Sequence, residues 1–201
     1  RFLKYVFFLI LSFPVIFSLS AQKPAEISVI LNKSVAVVQP TMWGVFFEDI
    51  NFAADGGIYA ELVKNRSFEF TLPLMGWRQE REKGNGRVLP TFYSPANSTN
   101  PHYITLVVDA VNGAFGLVNE GFRGMGIKKD NQYDFSLFAK ISPGSDFKLK
   151  VDLLDPKGEV IGGSVIEEFS SSWKKYQVSF EANKTESGAV LRLLFTGKGS
   201  V

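Results

Sequence analysis

Apolar and polar residues alternate through much of the second half of the chain with a period of two, the signature of half-buried β-strands. The cleanest run interleaves Phe147, Leu149, Val151 and Leu153 with Lys148, Lys150 and Asp152. Ile104, Leu106 and Val108 predict an earlier strand; Phe135, Leu137, Ala139 and Ile141 predict another. Tyr176, Val178 and Phe180 form a further face, and Ala189, Leu191, Leu193 and Phe195 the last. Asp155-Pro156-Lys157-Gly158 reads as a turn before Glu159-Val160-Ile161, since Asp, Pro and Gly each favour a turn position. Gly84-Asn85-Gly86 and Ser94-Pro95-Ala96-Asn97 read as loops. Short strands between turn residues predict an antiparallel sandwich.

The first third follows a different pattern. Residues 25–38 are rich in Ile and Val around the polar break Asn32-Lys33-Ser34, which predicts two short strands and a turn. Met42-Trp43-Gly44-Val45-Phe46-Phe47 lacks alternation and ends at Glu48-Asp49, as expected of a strand buried on both faces. After a loop with Asp55 as a helix cap, Ile58, Tyr59, Leu62 and Val63 fall at helical spacing. Strand, loop and helix together make one βα unit. A complete (β/α)8 barrel needs about 250 residues, so none can close within the roughly 50 residues before Phe70. The fold expected is mainly β: an antiparallel jelly-roll-like sandwich inserted after the first βα unit of an incomplete (β/α)8 barrel.

The extreme N-terminus has its own character. Arg1 and Lys4 precede an apolar run that continues through Phe17, and Ser18-Leu19-Ser20-Ala21 supplies small residues. This is the form of a secretory signal peptide; as a membrane span the run is short and Pro14 interrupts it. The expected division is 1–21 signal peptide, 22–70 N-terminal strands and first βα unit, and 71–201 sandwich. A first residue other than Met, and an end directly after a strand-like run, lead us to expect a piece of a longer protein.

Composition narrows the chemistry. The chain carries 22 basic and 20 acidic residues; without Arg1 and Lys4 the balance is neutral, which argues against nucleic acid or an anionic membrane as the main partner. With no Cys and only His102, neither thiol chemistry nor a Ser-His arrangement is expected, and no metal site or cofactor. Asn32, Asn65, Asn97 and Asn183 each open an N-x-Ser/Thr triplet. Arg66 and Glu69 are expected to pair as a structural ion pair. Trp77, Trp173, Phe115 and Phe122 have side chains suited to stacking on sugar rings, although a Trp in a strand-rich domain is more often core than platform.

Two segments carry a resemblance. Met42 to Asn51, followed by Gly56-Gly57-Ile58-Tyr59-Ala60-Glu61-Leu62-Val63-Lys64-Asn65-Arg66-Ser67-Phe68-Glu69, closely resembles the start of the α-L-arabinofuranosidases of glycoside hydrolase family 51. Residues 70–201 are similar to the carbohydrate-binding-module-like domain inserted in that family, through Gly76-Trp77, residues 119–127, Tyr133-Asp134-Phe135-Ser136 and Trp173-Lys174-Lys175-Tyr176. The resemblance implies an enzyme that removes terminal non-reducing arabinofuranosyl units from arabinoxylan, arabinan or shorter oligosaccharides with retention, and the leader adds the expectation that it is exported, to the periplasm or outside the cell. Retention needs two carboxyl groups about 5 Å apart; the resemblance places both glutamates beyond Val201, so no catalytic residue is assigned here. It matches Glu48 to a glutamate that binds arabinose hydroxyls in the −1 subsite, with Asp49 a structural acid and Asn51 a loop hydrogen bonder. A homo-oligomer of the full-length protein is compatible with it. The alternative is a stand-alone carbohydrate-binding sandwich without activity.

Overall fold

The structure, a computed structural model, describes residues 26–30 and 61–201 continuously, with Asn32, Val37, Gln39, Thr41, Gly44, Glu48, Ala54 and Ile58 between them. The expected leader, most of the expected strand pair, the strand ending at Phe47, and Asp49 and Asn51 lie outside the described residues. The chain divides into two compact units, Arg1–Phe47 and Glu48–Val201. In the first, residues 26–30 carry no strand. The second contains all the strands described below.

Among the described residues nine strands follow one another: β1 (Trp77–Glu82), β2 (Asn85–Thr91), β3 (Tyr103–Asn119), β4 (Met125–Ile127), β5 (Gln132–Ala139), β6 (Asp146–Leu154), β7 (Val160–Ile166), β8 (Lys174–Glu181) and β9 (Glu186–Ser200). Seven form one sheet ordered β1-β3-β9-β6-β7, with β2 also on β3 and β4 also on β9. β5 and β8 form a separate two-stranded sheet. Every named pairing is antiparallel. The alternating faces legible in the sequence build a core shared by the two sheets. Phe115, Leu149 and Val151 are fully buried, and Phe135, Leu137, Val178 and Phe180 pack against that cluster from β5 and β8. Phe169, in the link between β7 and β8, joins the layers, its ring 4.8 Å from Tyr176 and 6.1 Å from Phe195.

Three expectations change. The Gly84-Asn85-Gly86 segment is not a broad loop: β1 ends at Glu82 and β2 begins at Asn85, both along the same strand β3. β3 is 17 residues long, but its register on β9 shifts between Ala110 and Phe115. A bulge adds residues to one strand only and breaks the period-two pattern, leaving Val111 exposed and hiding the second half of the strand from a reading by alternation. Lastly, the helix expected from Ile58 does not extend through Leu62, Val63 and Lys64, which lie in an irregular stretch and turns. Their backbone groups are held by side chains instead. Glu61 Oε1 accepts from the Val63 amide at 2.7 Å, while Asn119 accepts from the Lys64 amide and donates to its carbonyl at 3.0 and 2.9 Å. A non-local amide thus takes the hydrogen bonds that an i→i−4 ladder would use, and Leu62 and Val63 still pack on the sandwich core.

The outward face of the large sheet carries a buried charge cluster. Asp152 on β6 is opposite Arg192 on β9, and its Oδ2 accepts from Nε and Nη2 at 3.2 and 2.6 Å. Arg192 Nη1 continues to Glu82 of β1 at 2.7 Å, so one guanidinium ties β6, β9 and β1.

Candidate functional site

The concave region of the second unit is a cleft of ≈ 850 Å³. Its floor is aliphatic and aromatic, from Ile104, Leu106 and Leu117 of β3 and Leu193 and Phe195 of β9. One wall is β5. Every residue from Asp134 to Pro143 lines the cleft, including both the inward Phe135 and Leu137 and the outward Ser136 and Phe138. Consecutive residues point to opposite faces of a strand, so β5 offers the cleft its edge. The mouth is more polar, with Asn97, Asn100 and Lys140.

The loop between β2 and β3 is fastened to this mouth by aromatic groups. Trp173 donates its indole N–H to the Ser94 carbonyl at 3.0 Å and meets Tyr103 edge-to-face at 5.1 Å between centroids. Lys140 Nζ sits 4.8 Å from the Trp173 ring centre, a cation–π distance. Tyr103 in turn donates its hydroxyl to the Tyr93 carbonyl at 2.5 Å. Trp173 therefore spends its polar edge and part of its ring within the chain. Trp77 is fastened likewise, donating to the Asn65 carbonyl at 3.2 Å with Phe68 beside it at 5.6 Å. Phe115 is wholly core and Phe122 half-buried. Of the four aromatic candidates, the two tryptophans line the cleft as fasteners and the two phenylalanines lie outside its lining. Among the described residues the exposed aromatic rings are Phe92, Tyr93 and Phe138 instead. Phe138 could have been found from its phase, one residue out of step with the buried series Phe135, Leu137, Ala139.

Other expectations are redistributed. Arg66 does not pair with Glu69: its Nε lies 3.5 Å from Glu61, and Glu69 contacts His102 through both the His102 backbone amide, at 3.1 Å, and the ring Nδ1. The hydrogen bond from the His102 backbone amide holds the Glu69 carboxyl below its ordinary range; burial opposes it, and the His102 ring adds to the lowering. His102 is thus a clasp between residue 69 and the start of β3. Asp134, on the outward face of β5, is lowered by the Ser179 hydroxyl and then by Gln132. Asp155 closes the expected turn, accepting from the Lys157 and Glu159 amides at 2.9 and 3.0 Å and from Lys184 at 2.5 Å. The Lys184 ammonium, helped by those amides, holds its pKa down to about 2. Asn65 is 2% exposed, with its amide donating to the Pro73 carbonyl at 2.9 Å, so this triplet serves structure; Asn97 and Asn183 are exposed.

Glu48 is exposed and outside any regular element. Asp49 and Asn51 beside it are not among the described residues. No group of three or more His, Asp or Glu among the described residues could hold a metal ion. No helix among them is long and apolar enough to cross a membrane.

Comparison with known proteins gives the fold a relationship. No protein-family model matches the chain. The extracellular exo-α-L-arabinofuranosidase of Streptomyces chartreusis is 36% identical over 160 residues, 76% of this chain and 18% of that protein. α-L-Arabinofuranosidase 1 of Arabidopsis thaliana is 31% identical over 179 residues, covering 82% of this chain and 26% of the relative. Among solved structures, the arabinose-bound MgGH51 α-L-arabinofuranosidase superposes with a TM-score of 0.61 at 26% identity, over 77% of this chain and 27% of that one. The chain thus spans between 18 and 27% of the length of these proteins. Matched over most of its own length to a limited segment of enzymes from a bacterium and a plant, it belongs to the α-L-arabinofuranosidase family.

Proposed function

We propose that the chain is the N-terminal part of an exported α-L-arabinofuranosidase of glycoside hydrolase family 51. The observation that carries this reading is the extended match to proteins named for that activity. The parent releases terminal non-reducing arabinofuranosyl units from arabinoxylan, arabinan or their oligosaccharides. It acts with retention, through two glutamates on barrel strands outside this chain. The sandwich described above is a jelly-roll-like insertion after the first βα unit of the barrel. Export, to the periplasm or the medium, is supported by the basic-apolar-small order of Arg1 to Ala21 and by the extracellular character in the Streptomyces relative's name.

Within this chain Glu48 is the substrate-binding residue. A carboxylate ending the first barrel strand faces the side on which barrel active sites form. It accepts hydrogen bonds from two sugar hydroxyls and holds the furanose in place. Its exposure in the described unit leaves it open to such a ligand. The test is a Glu48→Gln substitution in the full-length enzyme, assayed on a p-nitrophenyl α-L-arabinofuranoside. Loss of a charge-assisted hydrogen bond of about 1.5–3 kcal/mol lowers kcat/KM by roughly 10- to 100-fold. Unchanged kinetics would remove the role. NMR of the first-formed product checks retention: an initial β-anomer sinks it.

A further inference from the structure

We propose that the outward face of β5 and β8, where it meets the mouth of the cleft, binds an acidic oligosaccharide, one whose sugar units carry carboxylates. The inference rests on the reading that the parent protein acts on arabinose-bearing glycans, and it adds a second site to that protein. Phe138 supplies the platform. Its ring is 60% exposed, yet it belongs to a strand paired with β8 residue for residue, so its position is set by the sheet and not by a loop. Its cross-strand partner is Lys175. Residues directly opposite share a face, with Cβ atoms about 5 Å apart, so an apolar ring and an ammonium lie side by side. Lys140 follows β5 and holds its Nζ 4.8 Å from the Trp173 ring centre. A cation–π contact fixes that charge while leaving its N–H donors free for a ligand.

The charge around this ring is not neutralised. The lysines of β6 and β9 each reach a carboxylate: Lys148 meets Glu167 at 2.5 Å, Lys150 meets Asp152 at 3.3 Å, and Lys198 meets Asp109 at 3.7 Å. Among the described residues Lys140 and Lys175 reach none. The carboxylates in the cleft lining are Glu61 and Asp134, and both are engaged. Glu61 accepts from the Val63 amide and lies 3.5 Å from Arg66; Asp134 accepts from Ser179 and Gln132. Asp134 is also four residues from Phe138, about 13 Å along an extended strand, which exceeds the screening length of about 8 Å at physiological salt. Neutral polar groups complete the surroundings, since the side chains of Asn100, Ser136 and Ser171 in the lining make no hydrogen bond to a described residue. A ring for the C–H face of a sugar, hydroxyl and amide groups for its hydroxyls, and two ammoniums for its carboxylates fit a uronic-acid-bearing chain better than a neutral one. The cleft volume of ≈ 850 Å³ suits a short oligosaccharide, being within the range of about 300–1000 Å³ usual for such sites.

Calorimetric titration of the full-length protein tests this, with two arabinose-free xylo-oligosaccharides of equal length, one carrying glucuronic acid and one unsubstituted. The acidic one binds about 10-fold tighter at low salt, as two exposed ion pairs allow, and the advantage shrinks as salt rises. Phe138→Ala weakens both ligands by about 10-fold. Lys140→Gln with Lys175→Gln removes the preference and leaves the neutral ligand within about 2-fold of its original affinity. These side chains lie outside the arabinose-binding role given to Glu48, so all variants keep the thermal midpoint and the p-nitrophenyl α-L-arabinofuranoside kinetics. Equal affinity for the two ligands overturns the proposal, as does no binding of either up to about 10 mM. A preference that survives both lysine substitutions overturns it too, by placing the site elsewhere. A full-length protein that fails to hydrolyse arabinofuranosides but keeps the lysine-dependent preference would end the functional reading and leave this site standing. Normal hydrolysis without the preference would do the opposite.

Discussion

β9 and β5 are both amphipathic strands packed on one core, yet their surroundings differ. β9 lies between β3 and β6 and pairs on both sides through most of its length, Leu191 to Phe195 being matched residue for residue by each neighbour. Among the described residues, β5 pairs only with β8 and borders a cleft. The first region spends its backbone hydrogen bonds internally and is buried on both faces, since Leu194 and Arg192 on the outward side are also largely covered. The second keeps backbone and apolar surface in reserve. Stability therefore concentrates in the seven-stranded sheet.

The sharpest way to break this contrast is to truncate one aromatic residue in each region. Phe115→Ala removes a ring with no exposed surface and costs about 3–5 kcal/mol. Phe138→Ala, on an exposed side chain, changes stability by about 0.5 kcal/mol or less. Urea unfolding measures both, and equal losses would end the distinction. Asp152→Ala comes next. It leaves the Arg192 guanidinium, 12% exposed, without its main partner, at a cost of about 3 kcal/mol. Adding Arg192→Met in the same chain recovers most of that loss if the pair itself is the cause.

Asn119→Ala strips the Lys64 amide and carbonyl and the Gly121 amide of their partner. It costs about 2 kcal/mol, and proteolysis between residues 61 and 68 speeds up ahead of cleavage in the sheet. The smallest effect is on pH. Because folding lowers the Asp155 pKa to about 2 from 3.8, its contribution is present above about pH 4 and fades as pH falls through about 2. Thermal melts between those values should show a shallower decline in Asp155→Asn than in the unaltered chain. Parallel curves would show that the Lys184 contact carries no net coupling.

Much of the sandwich was legible. The series from Phe147 to Leu153 lies within β6, the Asp155 turn closes as its residues demand, and the last face is β9. What was hidden had identifiable causes. The bulge after Ala110 broke the alternation of β3, and the glycines around residue 85 disguised a strand along the sheet edge. Leu62 and Val63 have helical spacing, but Asn119, more than fifty residues away, takes the neighbouring Lys64 backbone instead. Glu69 was matched to its near neighbour Arg66, whereas the fold delivers His102. For the site, residue type identified Trp77 and Trp173; only their hydrogen bonds show that they fasten loops.

The amino-acid sequence alone determined which residues face the core, because side-chain direction along a strand is a local property with a period of two. It also carried the family relationship, which lies in the order of residues. Which strands become neighbours, and that among the described residues they divide seven against two, were decided only in three dimensions. Pairing is made by backbone groups common to every residue, so the choice of partner rests on packing between segments far apart in the chain.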